Sequence, residues 1–102
     1  MDIGKICGTI VAERKDEKLI GGKLYIVKLM DMNGKLTDNI VVALDTIGAG
    51  EGEIVIVVSG SSSRMTEYTQ HLPVDAAIVA IVDELEVNDK IIYNKTENKE
   101  IK

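Results

Sequence analysis

The sequence predicts an all-β domain, a small five-stranded barrel with one short helix. Three observations predict it. Apolar residues alternate with period two or gather in short β-branched runs, and glycine-bearing turns separate those runs. The single stretch that departs from this pattern lies just before the last strong strand. With 102 residues and 11.1 kDa there is room for one domain. A chain this size buries only about 60–70% of its unfolded surface, so its core is thin. Aromatic content is 3%, with neither Phe nor Trp, so Ile, Val, Leu and Met must fill that core. Association with further copies adds apolar burial to such a domain.

Taken in order, the first strand places Ile6, Ile10 and Ala12 on one face, with Gly8 between them, and Lys5, Cys7, Thr9 and Val11 on the other. A polar connection over 13–18 ends at Gly21-Gly22. The second strand, 23–32, sets Leu24, Ile26, Met30 and Met32 against Tyr25, Val27, Leu29 and Asp31. Asn33-Gly34 follows as a hairpin signal, because both residues tolerate the positive φ of a tight turn. A third strand covers 39–45 and a fourth 53–59. The run Ile54-Val55-Ile56-Val57-Val58 is apolar on both faces, which predicts a strand covered on both sides. Over 61–70 the period changes: three serines offer an N-cap, Met65 and Tyr68 lie three apart, and Pro73 enforces a stop, so a short helix is expected. The fifth strand spans 76–83 and extends or bends through Leu85 and Val87. Residues 3–93 form the domain, and 94–102 are too polar to pack and read as a tail. Five strands with a helix before the last suggest a partly open, OB-like β-barrel.

The net charge of -5 and pI near 4.8 exclude a phosphate-binding surface, which needs clustered Lys and Arg, so no nucleic acid is expected as partner. Tyr25, Tyr68 and Tyr93 are too scattered to stack bases. Cys7, the only cysteine, reads as a small buried hydrophobe in a reducing cytosol. The N-terminus lacks the pattern of a signal peptide, and no apolar run approaches the roughly 20 residues of a membrane span, so a cytoplasmic protein with no membrane partner is expected.

Chemistry-bearing motifs are few. The loop Gly48-Ala49-Gly50-Glu51-Gly52-Glu53 invites comparison with a dinucleotide-binding turn, but it runs into a strand instead of a helix N-terminus, and Glu51 and Glu53 repel phosphate. Its glycines are expected to permit positive φ or close backbone approach, so that Gly50→Val would disturb a ring more than the fold. Gly60-Ser61-Ser62-Ser63-Arg64 lacks the closing glycine of a nucleophile elbow, and His71 and Asp75 follow too closely to fold back as a triad. An anion nest at the serines and Arg64 is the alternative to a plain helix cap. His71 has no imidazole partner for a metal, and the acidic residues lack calcium-loop spacing. Site chemistry alone therefore indicates no enzyme, no cofactor and no metal.

The residues Gly8-Thr9-Ile10-Val11-Ala12, Gly22-Lys23-Leu24, the run from Val42 through Asp45 and the glycine loop to Glu53, Gly60-Ser61-Ser62-Ser63-Arg64, and Pro73-Val74-Asp75 through Asp83 occur together in this order. In that combination the chain resembles the EutN/CcmL vertex proteins of bacterial microcompartments, over about residues 3–87. Ser63 and Ala80 depart from the expected pattern, each a small residue replacing another. The resemblance implies a structural protein that forms a homopentamer, sits among hexameric shell proteins in the compartment shell, and caps its vertices. It further implies subunit contacts at Gly48, Ala49, Gly50, Glu51, Gly52, Ser61, Ser62, Arg64 and Asp83. The alternative function is a small OB-like module binding an anion or metabolite at the serine-arginine segment.

Overall fold

The computed structural model describes residues 1–11, 22–60 and 76–96. The helix expected over 61–70, together with Ser61, Ser62, Arg64 and His71, lies outside the described residues. Among the described residues there are seven strands: β1 (Asp2–Ile10), β2 (Lys23–Met30), β3 (Leu36–Asp45), β4 (Ile54–Ser59), β5 (Ala76–Ile81), β6 (Glu84–Val87) and β7 (Lys90–Asn94). The first five close into a barrel in the order β1-β2-β3-β5-β4, so the sheet is closed where the sequence suggested a partly open one. Four contacts are antiparallel. The fifth, β3 with β5, is parallel and rests on one register pair, Leu44 opposite Ala77.

Inside the barrel lie Ile6 of β1, Tyr25 and Val27 of β2, Ala43 of β3, Val55 and Val57 of β4, and Ala76 and Ile78 of β5. Cross-strand register places them together: Ile6 faces Val27, Tyr25 faces Ala43, and Val57 faces Ile78. With no large ring except Tyr25, the interior is narrow enough for β-branched side chains to fill. Gly4 sets the tightest approach, since a Cβ there would stand 2.6 Å from both the Lys28 carbonyl oxygen and Val27 Cγ1.

Two irregularities decide which residues face inward. In β1 the register shifts between Ile6 and Gly8, leaving Cys7 as a bulge. Ile6 therefore points inward while Ile10, opposite Leu24, lies on the outer wall, against the shared face expected from simple alternation. The same bulge exposes Cys7, correcting its expected burial. In β5 the shift brackets Val79, so Ile78 and Ile81 both pack on the interior although three residues apart.

The loop between β2 and β3 uses its Asn-Gly pair differently from a two-residue turn. Only Gly34 takes positive φ, at 82°. Asp31 organises the loop: its Oδ1 accepts from the Asn33 and Lys35 amides at 2.8 and 3.0 Å. The two-residue, positive-φ turn occurs at Asn88 (φ 52°) and Asp89 (φ 63°), joining β6 to β7. This hairpin replaces the expected extension of the fifth strand. It packs on the outer wall, where Tyr93 and Leu85 meet Ile54, with Ile3, Met30 and Leu36 around them. The two apolar faces of β4 are thus explained: Val55 points inward, and Ile54 lies beneath the hairpin.

Gly4→Ala is expected to lower unfolding stability by about 1–3 kcal/mol, because the obstructing Lys28 carbonyl is backbone and cannot turn aside. A urea-unfolding midpoint equal to that of the unaltered protein would refute this.

Candidate functional site

The glycine loop connects β3 to β4, and its shape follows from one buried carboxylate. Asp45, the last residue of β3, is 4% exposed. Its Oδ1 accepts from the Ile47 amide at 3.3 Å, and its Oδ2 from the Ala49 amide at 3.1 Å. The Ala49 carbonyl accepts from the Tyr25 hydroxyl at 2.8 Å, inside the barrel mouth. A buried phenol needs such an acceptor, and the loop provides it. Beyond Ala49, the Gly50 amide donates to Glu53 Oε1 at 2.7 Å and the Glu53 amide donates to the Gly50 carbonyl at 3.2 Å. The Gly52 amide donates to the Ile6 carbonyl at 2.8 Å, and the Ile6 amide returns to the Glu53 carbonyl at 3.0 Å. Thr9 Oγ1 bonds Glu51 Oε1 at 3.1 Å.

The glycines divide into two kinds. Gly48 and Gly52 adopt φ of 87° and 86°, which side chains resist, and a Cβ at either would meet nothing within 4 Å. Gly50 does not take positive φ, and a Cβ there would meet only Glu53 Oε1, at an ordinary 3.6 Å. Positive φ is therefore not the reason for Gly50, contrary to expectation.

The amides of Ala49, Gly50, Gly52 and Glu53 all donate to acceptors of the protein itself, so they are not aimed at a phosphate. Beside the loop is a cleft of about 190 Å³ lined by Lys23, Asp45, Thr46, Gly48 and Ala49. It falls below the range of about 300–1,000 Å³ usual for small-molecule sites. Both Asp45 oxygens in it are already engaged. Among the described residues, no group of three His, Cys, Asp or Glu could hold a metal ion.

A second tether comes from the far end of the chain. Lys95 Nζ pairs with Glu53 Oε2, and the Lys95 amide donates to the Asp83 carbonyl at 2.9 Å. Lys95 thereby links Asp83 to the loop. The hydrogen bond from Lys95 holds the Glu53 carboxyl below its ordinary value, aided by the Gly50 amide and opposed by partial burial. The bond to Glu53 likewise raises the Lys95 ammonium above its ordinary value, against its own desolvation. Sequence reasoning missed Tyr25, Asp45 and Lys95. Tyr25 carried a usable signal: a tyrosine on the inward face of a strand requires an acceptor.

Two outcomes follow from this network. Tyr25→Phe should destabilise the fold by about 1–3 kcal/mol, because it leaves the Ala49 carbonyl unsatisfied. An unchanged thermal midpoint would contradict the role given to the hydroxyl. Lys95→Met should produce a small, salt-sensitive loss at neutral pH. Glu53 is lowered from 4.5, so its share is present above that value and fades as pH falls through the lower folded value. Lys95 is raised from 10.5, so its share is complete below that value and fades as pH rises past it. A Lys95→Met deficit that persisted undiminished at pH 2 would rule the ion pair out as its source.

Comparison with known proteins supplies the context for this loop. Residues 1–83 match the family model described as ethanolamine utilisation protein EutN/carboxysome. The chain is 43% identical to the carboxysome shell vertex protein CcmL of Nostoc sp., over 93% of this chain and 95% of that protein. The solved structure of the Nostoc protein superposes with a TM-score of 0.83. The microcompartment shell vertex protein EutN of Salmonella typhimurium is 37% identical over 93% of this chain and 96% of its own length. GrpN from Rhodospirillum rubrum, solved as a pentameric microcompartment shell protein, is 44% identical over 85% of this chain and 99% of its own, with a TM-score of 0.75.

Proposed function

The chain belongs to the ethanolamine utilisation protein EutN/carboxysome family, and on that premise we propose that it is a structural shell protein of a bacterial microcompartment, five copies of which close a ring at each vertex. The observation that carries this reading is the 44% identity to a pentameric shell protein across nearly that protein's whole length. The ring is head-to-tail: each copy presents two different faces, and the rotation between copies closes after five. Flat hexagonal tiles spread as a sheet, and five-fold units introduce the curvature that closes it, so the neighbours in the shell are hexameric shell proteins. The protein performs no catalysis of its own, and the enzymes inside the compartment work without a residue from it.

The glycine loop, with Glu51 exposed at its tip, is one contact of the ring. Gly50 supports this placement, because its own subunit supplies neither a strained φ nor a crowding atom to require glycine there. Close approach of a neighbouring backbone is the remaining reason for a residue without a side chain. Asp83 joins the same contact through Lys95. Ser61, Ser62 and Arg64 were expected there as well and lie outside the described residues.

Native mass spectrometry of the purified protein should give five times the chain mass. Gly50→Val should retain the circular dichroism of the unaltered protein yet lose the ring. A monomeric unaltered protein at micromolar concentration would overturn the vertex reading, whereas an intact Gly50→Val ring would remove only the loop from the contact.

A further inference from the structure

Five strands of the chain close the barrel, and two stand outside it. Among the described residues, β6 and β7 form a separate two-stranded sheet and share no ladder with a barrel strand. By contrast β1, β2 and β4 each carry a ladder on both edges, so none of them lifts away without breaking two. Side chains hold the hairpin down. Tyr93, 6% exposed, and Leu85 pack against Ile54 and Met30, and Ile92 and Val87 fill the space that a side chain at Gly34 would occupy. A two-stranded hairpin by itself is marginal in water, so this one keeps its own ladder only while it is seated. Its root is short: the Val82 amide donates to the Ile54 carbonyl at 2.8 Å, and β6 begins at Glu84. Its far end is held at Lys95, whose amide donates to the Asp83 carbonyl at 2.9 Å and whose ammonium pairs with Glu53.

We infer that the β6-β7 hairpin is a strap that opens and closes as one unit over an intact barrel, and that Lys95 latches it to the glycine loop through Glu53. Opening unseats Tyr93 and Leu85 but breaks no barrel ladder, so it requires less free energy than unfolding the barrel. Glu53 couples the strap to the loop, because its Oε1 accepts from the Gly50 amide at 2.7 Å while its Oε2 meets Lys95. With the strap seated, the carboxylate is fixed from both sides. With the strap lifted, Glu53 turns more freely and its hold on Gly50 loosens. Ala49 does not follow, since Asp45 and Tyr25 hold it from the core. The strap belongs to the single chain and does not depend on the ring.

The test is hydrogen exchange of the full-length protein, read at single amides by mass spectrometry with electron-transfer fragmentation. After correction for intrinsic rates, the paired amides of β6 and β7 should exchange about tenfold or more faster than those of β1 and β2. Lys95→Met should speed the hairpin by about twofold or more and the Gly50 amide with it, leaving Ala49, β1 and β2 unchanged. Tyr93→Ala should speed the hairpin by about tenfold or more and still give a folded barrel. Hairpin amides as slow as those of β1 overturn the strap. So do barrel amides that accelerate in step with the hairpin in either variant, or a Tyr93→Ala protein that fails to fold. A Lys95→Met protein whose hairpin quickens while Gly50 does not overturns the latch.

Discussion

Both polar ends of Ala49 are held from within the barrel: its amide by the buried Asp45 carboxylate and its carbonyl by the Tyr25 hydroxyl. This double attachment makes the shape of the glycine loop a property of the core instead of the surface. Once Ala49 is placed, Gly48 must turn with positive φ to reach it, and Gly52 must do so again to bring Glu53 back to β1 and start β4. The loop then owes its form to hydrogen bonds whose loss costs more than surface contacts do, since each partner is sheltered from water. A loop held in this way has its backbone order set by the chain's own core.

The second governing constraint is volume. Without Phe or Trp, an interior lined by Val, Ile and Ala holds little apolar area. The chain adds area outside the barrel by laying the β6-β7 hairpin over Ile54.

Much of the fold was legible in the sequence. Period-two alternation located the five barrel strands, and the doubly apolar run at Ile54 to Val58 correctly signalled cover on both sides. The failures share a cause: counting by twos cannot see an inserted residue. The bulge at Cys7 moved Ile10 to the outer wall and exposed the thiol, and the shift at Val79 brought Ile81 inward. Turn chemistry misled in a different way. Asn33-Gly34 looked like the tight turn, yet Asp31 drew that loop wider with its side chain, whereas Asn88-Asp89, hidden in a polar stretch, made the tight one. At the candidate site, the run of glycines leading directly into a strand was legible. Which of its glycines carry the strain was not, because φ depends on where Asp45 and Ile6 stand in space.

The seam between β3 and β5, a single register pair at Leu44 and Ala77, has a consequence for the folding route. The meander β1-β2-β3 and the β6-β7 hairpin join chain neighbours and form quickly, whereas β1 must find β4, with Asp2 reaching Val57, before the barrel shuts. Until then the meander has free edges, along with inward valines and an aliphatic outer face, all unshielded. Closure removes the edges. Refolding yield should consequently depend on a race between intramolecular closure, which is indifferent to concentration, and strand pairing between chains, which is not.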